Sequence, residues 1–308
     1  MSQSVQFSVI IPTYNRLNFL KKAIRSVLAQ THASYELIVV DDGSTDGTHE
    51  YLVSLGNRIK PLHQKNKGPA AARNLGTQGA LGTYLAFLDS DDIWFPWTLA
   101  TFNQVIEQYH EPALISAATL EFEGDSPTAR RQGLKTERFR DYFSSSRAPG
   151  YVRSAALVIN RETFEAAKGF DERLIVGEDA DFYFRIGGSY EFVRVLSPVT
   201  LAYRRHAGNI STASSALYHG AIELIRRETK GYYPGGKDRE KERWKLLGRI
   251  IRPIALACLN DGLETEAWNL YQESFKINLL LGRIRFLSGF PVAALFARAK
   301  LKTSKANM

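Results

Sequence analysis

Residues 7–44 read FSVIIPTYNRLNFLKKAIRSVLAQTHASYELIVVDDGS, and this stretch decides the fold. Phe7–Ile11 is a short, continuous apolar run closed by Pro12, the pattern of a strand buried on both faces. Leu17, Leu20, Ile24, Val27 and Leu28 then recur at helical spacing, which predicts an amphipathic helix to about Gln30. Glu36–Val40 is a second buried strand, stopped by Asp41-Asp42-Gly43-Ser44. Two buried strands joined through a helix imply parallel pairing.

The same alternation continues outward. Ile59–His63 predicts a weaker third strand, and Pro69–Leu81 an alanine-rich helix with proline in its first turn. Thr83–Leu88 predicts a fourth strand, ended by Asp89-Ser90-Asp91-Asp92. The fold class read from this order is α/β, with a doubly wound parallel sheet. Beyond residue 110 the order is less regular. Ala113–Thr119, Ser154–Ile159 and Phe192–Leu196 read as strands, Asp179–Ile186 as a helix, and the polar stretch Gly124–Arg140 as a mobile loop. From Ser214 the pattern is helical, broken at Gly231–Gly236. Trp244–Leu259 and Thr265–Asn278 predict a helical hairpin around Asn260-Asp261-Gly262. The expected division is a catalytic domain over 1–213 and a basic helical appendage over 214–308.

Composition narrows the function classes. The chain has 308 residues, 44% hydrophobic and 23% charged, as expected of a globular protein. Its one cysteine, Cys258, lies in the apolar run Ile254–Leu259, where it reads as a small buried hydrophobe. A single thiol forms no internal disulfide, which fits a reducing cytoplasm. The net charge of +8 is compatible with nucleic acid, an anionic membrane surface or a phosphorylated substrate. No arginine-rich arm, zinc-finger spacing or aromatic RNA-binding motif supports nucleic acid. Met1–Gln6 is polar and does not read as a signal peptide. No stretch reaches the roughly 18 apolar residues that span a bilayer. Lys276–Lys305 mixes Lys and Arg with Leu, Ile and Phe, as interfacial helices do. A helical cap on the catalytic domain, or a homodimer contact, accounts for the same pattern.

In an open parallel sheet, ligands bind beyond the carboxyl ends of the strands. The polar clusters fall there: Pro12-Thr13-Tyr14-Asn15 closing strand one, Asp41-Asp42-Gly43-Ser44 after strand two, and Asp89-Ser90-Asp91-Asp92 after strand four. Three carboxylates within the last cluster repel one another unless a cation holds them. Hard oxygen ligands point to Mg²⁺ or Mn²⁺. A capping turn for a helix starting near Pro96 explains one of these aspartates, not three. Asp42 can accept hydrogen bonds from a nucleobase or ribose, and Tyr14 offers a face for stacking. Residues 66–74, NKGPAAARN, join a helix N-terminus to the cations Lys67 and Arg73, with Gly68 allowing close approach. Glu178-Asp179 opens a second acidic cluster, which reads either as a general base or as a helix cap. His206 reads either as a metal ligand or as a structural histidine.

As an ordered set, FSVIIPTYNR, ELIVVDDGSTDGT, NKGPAAARNLG, YLAFLDSDDIW, GFDERLIVGEDADF and YRRHAGNIS resemble the family 2 glycosyltransferases of GT-A fold. The resemblance covers roughly residues 7–213. It implies an inverting, metal-dependent transferase that takes a nucleoside-diphosphate sugar, a UDP-sugar being favoured, and a glycan or lipid-linked acceptor hydroxyl. Such a role belongs to polysaccharide or lipopolysaccharide synthesis, in the cytoplasm or at the inner face of the plasma membrane. By resemblance, Thr13, Tyr14 and Asp42 bind the nucleoside and Arg73 assists at the base or diphosphate. Asp89 and Asp91 match the D-x-D motif, with Asp91 the direct metal ligand. Asp92 is expected to hold a metal-bound water or face the acceptor. Asp179 matches the catalytic base of the Glu178-Asp179 pair, and His206 a metal or diphosphate ligand.

Two departures stand out. Glu240–Trp244 (EKERW) lacks the glutamine of the processive members' Q-x-x-R-W, so a processive polymerase is not expected. Trp97 stands where an acidic residue is common. Two other classes compete: a metal-dependent sugar nucleotidyltransferase, and a non-catalytic sugar-nucleotide-binding module. A dinucleotide oxidoreductase is excluded because no G-x-G-x-x-G follows a strand.

Overall fold

The computed structural model describes residues 5–148, 154–206, 208 and 213–306. The chain forms two compact units that alternate along the sequence. One comprises Met1–Tyr142, Val152–Arg173 and Ser189–His206; the other comprises Phe143–Tyr151, Leu174–Gly188 and Ala207–Met308. The boundary expected at 213 falls inside the second unit, which also draws two segments from the first 213 residues.

The first unit begins with β1 (Phe7–Thr13), α1 (Leu17–Leu28), β2 (Tyr35–Asp41), α2 (Thr48–Ser54), β3 (Lys60–His63), α3 (Pro69–Thr77) and β4 (Tyr84–Phe87). Next come β5 (Ile93–Trp94), α4 (Thr98–Gln108), β6 (Leu114–Ser116), β7 (Thr119–Phe122), β8 (Lys135–Phe139), β9 (Leu157–Asn160) and α5 (Arg161–Ala166). After α6 (Glu178–Ile186), which belongs to the second unit, β10 (Phe192–Ser197) and β11 (Leu201–Arg204) complete it. An eight-stranded sheet runs β3-β2-β1-β4-β9-β6-β10-β8, and a three-stranded sheet runs β5-β11-β7. The α/β architecture and the parallel order β3-β2-β1-β4 agree with the sequence reading.

Every residue of β1 is buried, the polar Ser8 and Thr13 included. Leu20, Ala23, Ile24 and Val27 of α1 pack into the same core as Val9, Ile11, Leu37 and Val39. Each of these Leu, Ile and Val side chains contributes about 1.5–3 kcal/mol on burial. Because β1 pairs in parallel with β2 and β4, their carboxyl ends lie along one edge; Thr13 stands level with Asp41. That alignment brings the polar clusters together.

Three features differ from the sequence expectation. The sheet is mixed, not purely parallel: β9 runs antiparallel to both β4 and β6. An apolar run reports burial but carries no direction. The stretch 124–140 is not all loop, since Lys135–Phe139 forms edge strand β8 against β10. Its residues are exposed or half-buried and none is fully buried, as suits a strand on the sheet edge. The single strand expected over 113–119 is two. At Ala117-Ala118 the chain changes sheets, with Ala117 N–H donating to Ala156 O at 2.8 Å and Ala118 O accepting from Thr200 N–H at 2.9 Å.

The second unit is helical: α6, α7 (Ser214–Thr229), α8 (Glu240–Asn260), α9 (Glu264–Glu273), α10 (Phe275–Leu280) and α11 (Ile284–Ala306). The turn expected at Asn260-Asp261-Gly262 joins α8 to α9. Asp181 of α6 is fully buried, accepting from Arg185 Nε at 2.8 Å, Arg227 Nη1 at 2.8 Å and Tyr233 Oη at 3.1 Å. Burial, followed by the Asp181 charge, pushes the Tyr233 hydroxyl pKa far up, so this phenol stays a donor. Cys258 is buried as expected, and burial raises its thiol pKa to about 11. Among the described residues no helix is long and apolar enough to cross a membrane.

Candidate active site

The turn after β4 gathers Asp89, Asp91 and Asp92, with one carboxylate oxygen from each lying within 4.8 Å of the others. They do not cap α4, which begins at Thr98 with Trp97 as its N-cap and no side-chain cap bond. Cations surround the turn. Arg73 Nη2 donates to Asp89 Oδ1 at 2.7 Å, and Arg16 from the end of the β1–α1 loop pairs with Asp91 Oδ2. His206 arrives from beyond β11, its Nε2 at 3.0 Å from Asp91 Oδ2 and its ring stacked on Phe19 at 4.7 Å. Asp91 and His206, 115 residues apart in sequence, thus share one site. Three carboxylates and one imidazole are a donor set that fits a divalent cation of the Mg²⁺ or Mn²⁺ type.

Asp92 also ties this turn to the sheet. It is fully buried, and its Oδ1 accepts the Arg204 main-chain N–H at 2.9 Å, tying the turn to β11. The Arg204 side chain is itself buried; its Nε donates to the Asp91 carbonyl at 2.9 Å, and its guanidinium also reaches the Gly124 carbonyl. It lies over the Phe122 ring at 4.5 Å. Burial lowers the Arg204 pKa, opposed by the charges of Asp125, Asp92 and Asp91. Arg204 and Arg16 are the functional residues that sequence reasoning missed. Both stand inside motifs quoted above, but their partners are remote in sequence.

The nucleoside candidates lie along the same edge. The buried Thr13 hydroxyl has no hydrogen-bond partner among the described residues, while Tyr14 is 46% exposed and free to present its ring. Asn15 occupies positive φ (51°); its N–H donates to Ser44 Oγ at 2.9 Å and its Oδ1 accepts from Thr45 N–H at 2.7 Å. The loops after β1 and β2 are thereby locked together. Asp42 is buried and already organises the approach to α3. Its Oδ1 accepts from Gln64 Nε2 at 2.7 Å and Lys67 N–H at 2.9 Å, and its Oδ2 from Gly68 N–H at 2.9 Å. Gly43, at φ +83°, sits where a Cβ would meet Asn66 N at 3.0 Å, so only glycine lets the two loops approach this closely. The Lys67 side chain is exposed and Ser90 is buried.

Trp97 is fixed by stacking on Phe95 (5.2 Å between ring centres) and by donating Nε1–H to Val199 O at 2.8 Å.

In the second unit, Glu178 and Asp179 occupy the first turn of α6, whose N-cap is Gly177 without a side-chain cap bond. Neither acid therefore serves as the N-cap. Glu178 is buried and Asp179 half-buried.

Residues 8–165 match the family model described as Glycosyl transferase family 2. The chain belongs to this family. The GT-A fold and the glycosyltransferase identity read from the sequence are thus supported. Relatives include an uncharacterized glycosyltransferase of Rickettsia conorii, 54% identical over 92 residues, or 29% of this chain and 15% of that protein. Another of Rickettsia prowazekii is 29% identical over 182 residues, 58% of this chain and 57% of that protein. A putative teichuronic acid biosynthesis glycosyltransferase of Bacillus subtilis is 44% identical over 91 residues, 28% of this chain and 36% of that protein. The chain thus spans well under two thirds of these relatives' lengths. Among solved structures, S. aureus TarS in complex with UDP superposes with a TM-score of 0.63 at 16% identity, covering 96% of this chain and 92% of that one. The Pyrobaculum calidifontis mannosyltransferase in complex with GDP-Man and Mn²⁺ gives 0.56 at 16% identity, covering 94% and 86%. These likenesses are of fold.

Proposed function

We propose that the chain transfers a sugar, with inversion, from a nucleoside-diphosphate donor to an acceptor hydroxyl in glycan synthesis. The observation that carries this reading is the meeting of Asp89, Asp91 and His206 with Arg16 and Arg73 on the edge where the strand-end motifs align. The fold neighbours named above were solved in complex with UDP or with GDP-Man and Mn²⁺, which supports a nucleotide-sugar donor and a divalent ion here.

Asp91, Asp89 and His206 would hold Mn²⁺ or Mg²⁺. When bound, such a cation neutralises charge developing on a diphosphate leaving group. Pro12, Thr13, Tyr14, Asn15 and Asp42 receive the nucleoside, with Tyr14 stacking on the base. Gly43, Gly68 and Ser90 keep the walls narrow, and Lys67 and Arg73 offer positive charge to the diphosphate. Asp179, in the first turn of α6 where the helix dipole favours negative charge, takes the acceptor proton as general base. Glu178 beside it is assigned to donor binding by the family motif. The acceptor oxygen attacks the anomeric carbon opposite the leaving group, which inverts the configuration.

We take 1–213 as the catalytic portion and 214–308 as its basic helical partner. Ile284, Leu295 and Phe296 of α11 are 71%, 69% and 73% exposed, and Leu279 and Leu280 of α10 are 55% and 56% exposed. Lys276, Arg283, Arg285 and Arg298 accompany them. Apolar side chains rimmed by cations fit an anionic bilayer surface. This supports a peripheral protein at the inner face of the plasma membrane, acting on a glycan or lipid-linked acceptor.

The test is a panel of UDP- and GDP-sugars incubated with the protein and Mn²⁺. Release of UDP or GDP, with an inverted anomeric centre in the product, is expected. Release of pyrophosphate would instead identify a nucleotidyltransferase, and donor binding without turnover by any acceptor a binding module.

A further inference from the structure

Asp41 ends β2 and His63 ends β3, and the two residues are register partners in this parallel pair. Their side chains therefore point to one face of the sheet. His63 Nδ1 lies 3.2 Å from Asp41 Oδ2. A third residue joins them from α2. Just before this helix Asp46 accepts from Thr48, from its main-chain N–H at 3.2 Å and its hydroxyl at 2.6 Å. Thr48 is buried, and the next residue, His49, is exposed. The His49 and His63 rings meet edge to face, with centroids 5.7 Å apart at 77°. One donor atom each from Asp41, His49 and His63 lies within 4.8 Å of the other two.

We propose that Asp41, His49 and His63 form a second metal site, for a borderline cation of the Zn²⁺ type, with ligands distinct from the Asp89–Asp92 turn. Two imidazoles and one carboxylate form a donor set for zinc and disfavour Mg²⁺, which takes oxygen. The carboxylate is preset. Asp41 is fully buried, and its other oxygen, Oδ1, accepts from Ser44 N–H at 2.9 Å. That bond orients the ligand as outer partners do in metal sites. Both histidines are exposed, which leaves a fourth position open to water. An Asp41–His63 ion pair alone would account for His63 but gives His49 no role. The ligands bracket residues 42–48, so a bound ion would clamp the loop whose Asp42 orders the turn before α3.

The experiment uses the full chain, stripped with a chelator and held in saturating Mg²⁺ so that the carboxylate turn is occupied. Zn²⁺ is titrated by calorimetry, Co²⁺ by its visible absorption, and thermal unfolding is followed with and without Zn²⁺. One Zn²⁺ per chain is expected, with a melting temperature raised by the metal and Co²⁺ bands of four or five coordination. His49→Gln and His63→Gln should each weaken Zn²⁺ binding about tenfold or more, while melting like the parent in its absence. Asp91→Ala should leave it unchanged. Equal Zn²⁺ affinity in the parent and both histidine variants, absence of Zn²⁺ binding, or its loss in Asp91→Ala would overturn the proposal.

Discussion

Arg204 Nε donates to the main-chain carbonyl of Asp91 at 2.9 Å, across 113 residues of sequence. The carboxylate turn is thereby held from behind by a buried cation that never has to touch a ligand. Replacing it leaves polar main chain unpaired. Arg204→Met should destabilise the protein by about 3 kcal/mol, the cost of breaking a buried charged contact, read as a fall in the urea midpoint. Mn²⁺ affinity should fall with it, by about tenfold or more. A variant with parental affinity would show that the turn holds its shape unaided.

Asp91 is the point where Arg16 and His206 converge. Asp91→Ala should abolish the Mn²⁺ dependence of nucleotide-sugar binding in calorimetry while leaving the melting temperature within a few degrees. Persistence of that dependence would move the ion elsewhere.

Asp179→Asn keeps the shape of the side chain and removes its basicity. Transfer should fall by about 10²–10⁴-fold, with donor affinity nearly unchanged. A variant that turns over at the parental rate would remove Asp179 from the mechanism.

Cys258 is buried, with its thiol pKa raised to about 11 by burial and by the charges of Glu266 and Asp261. The thiolate is the reactive form, so at pH 7–8 alkylation should be slow in the folded protein and prompt in denaturant. Rapid modification of the native protein would contradict the packing of α8.

The exposed apolar side chains of α10 and α11, with Lys276, Arg283, Arg285 and Arg298, predict sedimentation with anionic liposomes, and the basic residues make it weaken with salt. Leu295→Ser with Phe296→Ser should reduce it. Equal sedimentation of parent and variant would exclude this face as the contact.

Much of the first unit was legible because the physics is local. Phe7–Ile11, Glu36–Val40 and Thr83–Leu88 are predominantly apolar, and Leu20, Ile24 and Val27 keep helical spacing. The polar ends of those strands then marked the site. What escaped was set by partners far along the chain. Lys135–Phe139 is a strand only because β10 offers it an edge, and Ile93–Trp94 is too short to leave a pattern. Arg204 reads as one basic residue among others in YRRH until Asp91, Asp92 and Gly124 surround it. Asp42 was legible as a strand-end acid, but not its bonds to Gln64, Lys67 and Gly68, which depend on how the β3–α3 loop folds back.

The alternation of the two units along the chain bears on how this enzyme can be re-engineered. Residues 174–188, with α6 and Asp179, belong to the helical unit although they precede β10 and β11. The junction is tight: a Cβ on Gly220 of α7 would sit 2.4 Å from the Val176 carbonyl oxygen. A chimera that grafts a foreign segment after residue 206 would pair the resident α6 with an α7 never shaped to receive it. Functional cassettes should therefore transplant 143–151, 174–188 and everything from 207 as a set.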